Sequence, residues 1–510
     1  MLKNIYFFKR IFIFFNQIAV TNYTQKHMDT IINAVNNIVW SNALIALCAI
    51  TGIYFSFRTG FLQFTYIKDM INLLFSGKKT DKGITPFQAF SLAISGRVGT
   101  GNIVGVATAI AMGGPGAVFW MWFIALMGAS SAFIEATLGQ LYKQEIDGEY
   151  RGGPAYYIEK GLGVKWYAIL FAVVTIVSCG FLLPGVQSNS ISSAMNNAFS
   201  VDIPIIAGIP INYFGLIIVA LLSLIIFGGV KRLGQASEFI VPFMAGAYIL
   251  MALIIISLNI NQVPEVLRLI ISSAFKMESL YSGIFGSAVA WGIKRGIYSN
   301  EAGQGTAPHA AAAAEVSHPA QQGLVQAFSV YIDTLFVCTA TAFIILFTGQ
   351  YNVIDETTGT YITQNLKDVD YTGFTQAAVA HHFPAFGNGF VAFALFFFAF
   401  TTIMAYYYYA ETNITYIFKN RNTKLYIWIL RIGFLAGTYY GTIKTAETAW
   451  AIGDIGVGLM AWVNIIAILL LSKTGIKVWK DYKTKRKAGI KNPTFNSKEL
   501  GIKNADFWEK

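Results

Sequence analysis

The sequence predicts an all-α polytopic membrane protein with about eleven transmembrane helices, the second and seventh discontinuous, and three observations carry that reading. Of its 510 residues 55% are hydrophobic and 12% charged, and the mean hydropathy is +0.53, well outside the range of soluble domains. Eleven apolar stretches reach the ~20 residues that a helical crossing needs. Basic residues gather in alternate connections between them, the distribution produced when Lys and Arg stay on the cytoplasmic side.

Residues 1–28 place Lys3, Lys9 and Arg10 beside short apolar runs without a clean cleavage pattern, so this extension is assigned no function and Met28 is an alternative start. The first span covers about 37–57 and is followed by a connector with Arg58, Lys68, Lys78, Lys79 and Lys82. The second, 87–112, contains the polar run Ser95 to Gly105. Gly113-Gly114-Pro115-Gly116 then turns the chain into a third span ending near Tyr142. Further spans fall at about 166–195, 211–228, 235–258, 281–316, 322–347, 389–418, 425–441 and 448–472. The transmembrane domain is thus 29–472, with a basic tail over 473–510.

Charge placement sets the expected orientation. Basic connections include Arg58 to Lys82, Lys231 with Arg232, Lys419 with Arg421 and Lys424, and the tail; the connection 143–165 carries four charges of each sign. The longest connection on the other side, 348–388, holds Asp355, Glu356, Asp368 and Asp370 against Lys367. This predicts a multi-pass inner-membrane protein with its N-terminus outside and its C-terminus in the cytoplasm. The net charge of +11 comes mainly from the tail, with eleven Lys or Arg against four Asp or Glu. A basic segment directly after the last span favours contact with anionic lipid over nucleic acid. Cys48, Cys179 and Cys338 lie far apart in apolar segments and read as small core residues, without a disulfide framework.

The run Ser95-Gly96-Arg97-Val98-Gly99-Thr100-Gly101-Asn102-Ile103-Val104-Gly105 is the focus of the second span. Its glycines weaken a helix, and the backbone groups they free meet no water in hydrocarbon. Two readings stay open on these residues alone. One is a discontinuous helix whose half-helix ends present partial charges to a ligand; the other is close helix packing through small residues.

The stretch from Tyr281 to Val316 is too long and too polar for one ordinary span. Between Trp291 and Gly305 it holds Lys294, Arg295, Asn300, Glu301 and Gln304 among four glycines. A charge at mid-span costs about 2.5–3.5 kcal/mol on insertion scales, so such groups face protein or water. A cytoplasmic loop between two shorter spans is the alternative. The interruption falls five spans after the first, and Gly-interrupted segments at matching places of two halves point to an inverted-repeat transporter with a midplane site. Spans 2 to 6 and 7 to 11 would be the repeats, and span 1 an addition.

Val98-Gly99-Thr100-Gly101-Asn102-Ile103, Gly113-Gly114-Pro115-Gly116-Ala117-Val118-Phe119-Trp120-Met121-Trp122, and Ser299-Asn300-Glu301-Ala302-Gly303 with Gln322-Gly323 downstream resemble, in that order, the alanine/glycine:cation symporter family, also called sodium:alanine symporters. The resemblance covers about 37–472. It implies a leucine-transporter-type fold that moves a small neutral amino acid with sodium, or sometimes a proton; separately, no cofactor and a monomer are expected.

The resemblance also implies a site. The substrate carboxylate would meet the amides around Thr100 and Gly101 at the start of the following half-helix, with Asn102 adding an amide to the carboxylate or to a cation; a helix cap is its structural alternative. Gln187, beside Pro184 in the fourth span, would receive the amino group, where otherwise it would bond a neighbouring helix. Trp291, Gly292 and Ile293 would form a wall that restricts side-chain size, although Trp serves as often in packing. Sodium, a hard ion, would take carbonyls at Ser95 and Val98 with the hydroxyls of Thr401 and Thr402, although membrane threonines commonly bond their own helix.

Arg97 and Glu135 are read as gating or structural charges that pair with Glu301, Lys294 or Arg295, and Asp454 as a partner for Arg431. His309 and His318 lie at the cytoplasmic end of span seven without metal-ligand spacing. An intramembrane enzyme would need a nucleophile, base or metal set at one depth, and no G-x-x-x-x-G-K-[ST] loop for ATP occurs. A coupled carrier is therefore favoured over a channel or an enzyme, with proton coupling as the second choice.

Overall fold

The structure, a computed structural model, describes residues 22–509 apart from 77–82, 147, 207, 208, 228, 276–278, 420 and 422. The first 21 residues and Lys78, Lys79 and Lys82 therefore lie outside the described residues. The chain opens with α1 (Asn22–Val39) and α2 (Asn42–Thr59). Next, α3 (Pro86–Arg97) begins on a reciprocal cap: the Thr85 hydroxyl accepts the Gln88 N–H while the Gln88 side chain accepts the Thr85 N–H, with Pro86 preset at the first helical position. Val98 and Gly99 leave the helix, and a π-turn over Gly101–Gly105 leads into α4 (Val106–Gly113). Then comes α5 (Ala117–Leu141).

Two long rods each contain a π-turn. α6 (Lys165–Val177) and α7 (Leu183–Phe199) join through Ser178–Leu182, and α12 (Pro319–Val330) and α13 (Thr339–Thr348) through Tyr331–Cys338. The first π-turn sits directly before Pro184, where the missing N–H would otherwise interrupt α-helical bonding. Between these rods lie α8 (Tyr213–Ile226), α9 (Gly229–Leu258), α10 (Phe285–Asn300) and α11 (Ala307–Ala313). The last helices are α14 (Gly387–Phe418), α15 (Thr423–Gly441), α16 (Ala446–Leu470) and α17 (Ser472–Lys487).

Among the described residues, seven helical segments are long and apolar enough to cross a membrane: Thr30–Thr59, Ala117–Leu141, Lys165–Phe199, Arg232–Leu258, Pro319–Thr348, Gly387–Phe418 and Ala446–Leu470. The two broken segments offer no single helix of that length, and α8 is only 14 residues long. The prediction of a purely helical chain needs one correction. Short hairpins pair Gln144–Ile146 with Glu149–Arg151, Ile205–Ile206 with Ile209–Pro210, and Asn352–Ile354 with Tyr361–Gln364. Strands of two to four residues carry too little alternation to be read from sequence.

The packing is concentric. α14 is buried on every side from Phe398 to Tyr416, the pattern of a central helix. It packs against α3 and α7, while α5 packs along α2, α10 and α12. α9 and α15 instead turn large apolar side chains outward, including Phe239 (81% exposed), Phe243, Leu250, Trp428 and Ile432. An apolar outer face of this extent suits lipid, not water.

The basic tail folds back onto the bundle. Trp479 donates to the Thr59 carbonyl at 2.9 Å, Arg486 pairs with Asp69, and Trp508, 6% exposed, donates to the Gln140 carbonyl at 3.0 Å. The Lys143 ammonium lies 4.4 Å from the Tyr150 ring centre and 4.3 Å from that of Phe507, a cation–π arrangement. Asp481 binds His318 at 3.1 Å and Lys485 at 2.8 Å; burial alone would raise its carboxyl, and these two partners more than offset that and hold it below its ordinary value. Truncating a buried Trp costs about 3–5 kcal/mol, so Trp508→Ala is expected to free the tail. Limited proteolysis read by mass spectrometry should then cut rapidly between 488 and 509 while leaving the helical bundle intact.

Candidate binding site at the helix breaks

At the first break the freed amides are held by side chains. Gly99 donates its N–H to Asn102 Oδ1 at 2.8 Å, and Thr100 donates to Gln187 Oε1 at 3.0 Å. Gly99 is also a point of close approach: a Cβ there would come within 2.5 Å of Thr402 Oγ1 and 2.8 Å of Gln187 Oε1. At Gly101 it would meet Tyr298 at 3.1 Å and the Ser299 backbone at 3.2 Å. The glycines thus bring the break against α7, α10 and α14, so close packing and an opened backbone occur together.

The second break is narrower than the sequence suggested. Trp291 through Asn300 are helical, and the helix ends where Glu301 takes the left-handed conformation (φ 54), followed by Gly303 (φ 85) and Gly305 (φ 87). A non-glycine residue in that region is strained. The carboxylate of Glu135, on α5, accepts the N–H groups of Gly303 at 3.3 Å and Gly305 at 3.1 Å and is held by Asn464 at 2.9 Å. Glu301 accepts the Thr306 hydroxyl at 2.8 Å.

Thr100, Gly101, Asn102 and Gln187 are brought together. Asn102 combines the cap with a second role, since its Nδ2 donates to Asp333 Oδ1 at 2.6 Å. Ser95, Val98 and Thr402 also converge: Thr402 Oγ1 lies 2.7 Å from the Ser95 carbonyl and 3.3 Å from that of Val98. Thr401 does not join them. Its hydroxyl bonds Phe397 and Phe398 of its own helix at 2.9 Å and faces Met244. Trp291, Gly292 and Ile293 lie away from the first break, because α10 continues for about two turns beyond them. Trp291 donates to Glu356 at 2.8 Å, Gly292 packs against Ala117 and Trp120, and Ile293 is buried in the same helix. The residues that meet Gly101 are Tyr298 and Ser299.

Asp333 was missed. It lies in the π-turn of the α12–α13 rod, fully buried, and accepts from Asn102, from Ser299 at 3.0 Å and from Thr334 at 2.7 Å. No basic nitrogen of the described residues comes within 4 Å of it. One acid within an apolar span was the available signal. The other charges pair differently from expectation. Asp454 binds Arg295 at 2.7 and 3.1 Å and Lys294 at 2.8 Å, while Arg431 donates to the Tyr407 hydroxyl at 2.8 Å. Arg97 donates to the Gln326 carbonyl at 3.0 Å and to Ser329, not to a carboxylate. His309 bonds the Thr306 carbonyl and Asn413, and no cluster of three metal-binding side chains occurs among the described residues.

Beyond the first break, a cavity of about 250 Å³ lies between Ile103, Asn189, Ser190, Asp370, Gln376 and Leu395. Gln140 donates to the carbonyls of Ala311 and Ala314, and Lys143 to that of Ala314 at 2.9 Å. Asn300 Nδ2 and both amide atoms of Gln304 are buried without a hydrogen-bond partner, the pattern expected where polar atoms await a ligand.

Comparison with known proteins gives this geometry its context. The sodium:alanine symporter family matches residues 25–497. YrbD of Bacillus subtilis (strain 168) is 57% identical over 95% of this chain and 98% of its own. The sodium/proton-dependent alanine carrier protein of Bacillus sp. (strain PS3) is 51% identical over 86% of this chain and 97% of its own. Among solved structures, MhsT in complex with L-phenylalanine aligns with a TM-score of 0.50 at 14% identity, covering 78% of this chain and all of that one; this likeness concerns the fold alone. The family match and these relatives lead to one conclusion: the chain belongs to the sodium:alanine symporter family, a family of membrane transport proteins and not of enzymes.

Proposed function

We propose that this protein is a secondary active symporter that couples inward sodium flux to uptake of alanine or glycine by alternating access. The observation that carries the reading is the charge balance at the crossing of the breaks. Glu135, Glu301 and Asp333 are fully buried there, and among the described residues none of the three forms an ion pair with a basic side chain. Uncompensated buried carboxylates are costly. A sodium ion supplies positive charge beside Asp333, and a zwitterionic substrate adds no net charge. The names of close relatives, which specify alanine with sodium or protons, support the same cargo.

In this reading the substrate carboxylate takes over the Gly99 and Thr100 amides from Asn102 and Gln187, and the Gln187 oxygen turns to the ammonium. Sodium sits among the Ser95 and Val98 carbonyls and the Thr402 hydroxyl, and Asp333 anchors the positive charge from the other side of the break. The side chain faces Gly99 and Gly101, where the close approach of Thr402, Gln187, Tyr298 and Ser299 favours a small one. Eleven crossings, two inverted repeats of five and an added first helix, with the N-terminus outside, fit the alternation of basic connections. The cavity at Asn189 and Asp370 is then the outer vestibule. All the named groups come from one chain, which suits a monomer in the inner membrane. One charge falling through 100 mV releases about 2.3 kcal/mol, enough for a gradient of roughly 45-fold.

Purified protein in proteoliposomes should take up radiolabelled alanine when a sodium gradient is imposed. Uptake driven by a pH gradient and indifferent to sodium would instead establish the proton-coupled reading. A hydrogen bond to a charged group is worth about 1.5–3 kcal/mol, so Asn102→Ala and Gln187→Ala should each lower uptake at least tenfold. Thr402→Val should raise the sodium concentration for half-maximal uptake about tenfold or more, whereas Thr401→Val should leave it within about twofold, because only Thr402 reaches the break. Asp333→Asn should abolish sodium-dependent uptake while leaving the protein folded, as monitored by size-exclusion chromatography and circular dichroism.

A further inference from the structure

On the tail side of the molecule a cavity of about 400 Å³ lies between the segment just before α6, the end of α5, α17 and the segment 501–504. Four lysines line it, Lys160, Lys473, Lys477 and Lys503, and no Asp or Glu does. Asp506 answers Lys160 through an ion pair; Lys473, Lys477 and Lys503 are exposed. Ammonium groups gathered around one opening repel one another, and an anion among them removes that repulsion.

The depth of the cavity identifies the anion. Lys473 follows Leu470, the last residue of α16, by three positions, and Leu470 is 62% exposed. On the other wall, Gly161 lies just before α6, whose second residue, Trp166, is 70% exposed. An outward Trp beside an outward Leu at the ends of two crossing helices marks the boundary between hydrocarbon and headgroups. The lysines therefore sit where lipid phosphates lie. We propose that this cavity is a binding site for the phosphate headgroup of an anionic glycerophospholipid. The bound headgroup joins the tail to the body, because Lys503 belongs to the tail and Lys160 to the connection between α5 and α6. It thereby reinforces the contact in which Trp508 covers the Gln140 carbonyl.

The test uses the full chain, purified in detergent and examined by native mass spectrometry with phosphatidylglycerol or phosphatidylcholine added. Retention of phosphatidylglycerol over phosphatidylcholine is expected, weakening with salt. The combined Lys473→Gln, Lys477→Gln and Lys503→Gln variant should lose about a hundredfold in apparent affinity, and Lys503→Gln alone about fivefold, at roughly fivefold per lysine. The control combination Lys480→Gln, Lys483→Gln and Lys491→Gln removes the same charge from outside the cavity and should retain the lipid. Equal loss in the control, equal retention of the two lipids, or displacement of the lipid by inorganic phosphate at comparable concentration would each overturn the proposal. Uptake of alanine is read separately, so failure of the transport reading and failure of this one are distinguishable.

Discussion

Backbone polar groups released inside a membrane must find partners within the protein, and the interior of this molecule is arranged around that requirement. Two helices stop part-way, and each stop leaves N–H groups that a neighbouring helix must accept. At the second break Glu135 takes two of them and is itself held by Asn464. At the first break the acceptors are the neutral amides of Asn102 and Gln187. A carboxylate holds N–H donors about twice as strongly as a neutral oxygen does. The second break is therefore the firmer of the two, and the first is the one at which a ligand carboxylate can compete.

The same requirement explains why polar residues appear on helices that are otherwise apolar. Glu135 comes from α5, Gln187 from α7, Thr402 from α14, Asn464 from α16 and Asp333 from the α12–α13 rod. None of these residues is adjacent in sequence, and each is buried. Removing any one leaves an unsatisfied group in a dry interior, which costs more than the lost bond itself. α14 shows the consequence for packing: its long buried face lies against the first break through Thr402 and against α11 through Asn413, which bonds His309. One central helix thus touches both the first break and the short helix that follows the second.

The tail belongs to this arrangement. A segment with so many lysines suggests a solvated strand, yet it also carries Trp479, Tyr482, Phe495 and Trp508, all buried. These aromatic side chains supply the area that docks the tail, and the charges remain at its rim, the division expected of amphipathic side chains. The docked tail lies over Gln140 and Lys143, the two residues that tie α5 to the segment after α11.

Much of the fold was legible in the sequence because hydropathy and length are local properties. The two interruptions, the apolar stretches and the family motifs could all be read from neighbouring residues, and Thr100, Gly101 and Asn102 stand within one of those interruptions. What could not be read depended on contacts between distant residues. Trp291, Gly292 and Ile293 looked close to the break because they precede it in sequence, but α10 stays helical to Asn300 and carries them away. Thr401 and Thr402 are equivalent in composition, and only the rotation of α14 decides which one faces Ser95. Asp454 and Asp333 acquired their partners from other helices. The sequence by itself determined that the chain crosses a membrane several times and where two of its helices would break, since those follow from the cost of polar groups in hydrocarbon; only the tertiary structure decided which side chains satisfy the breaks, because that depends on which faces of separate helices are packed together.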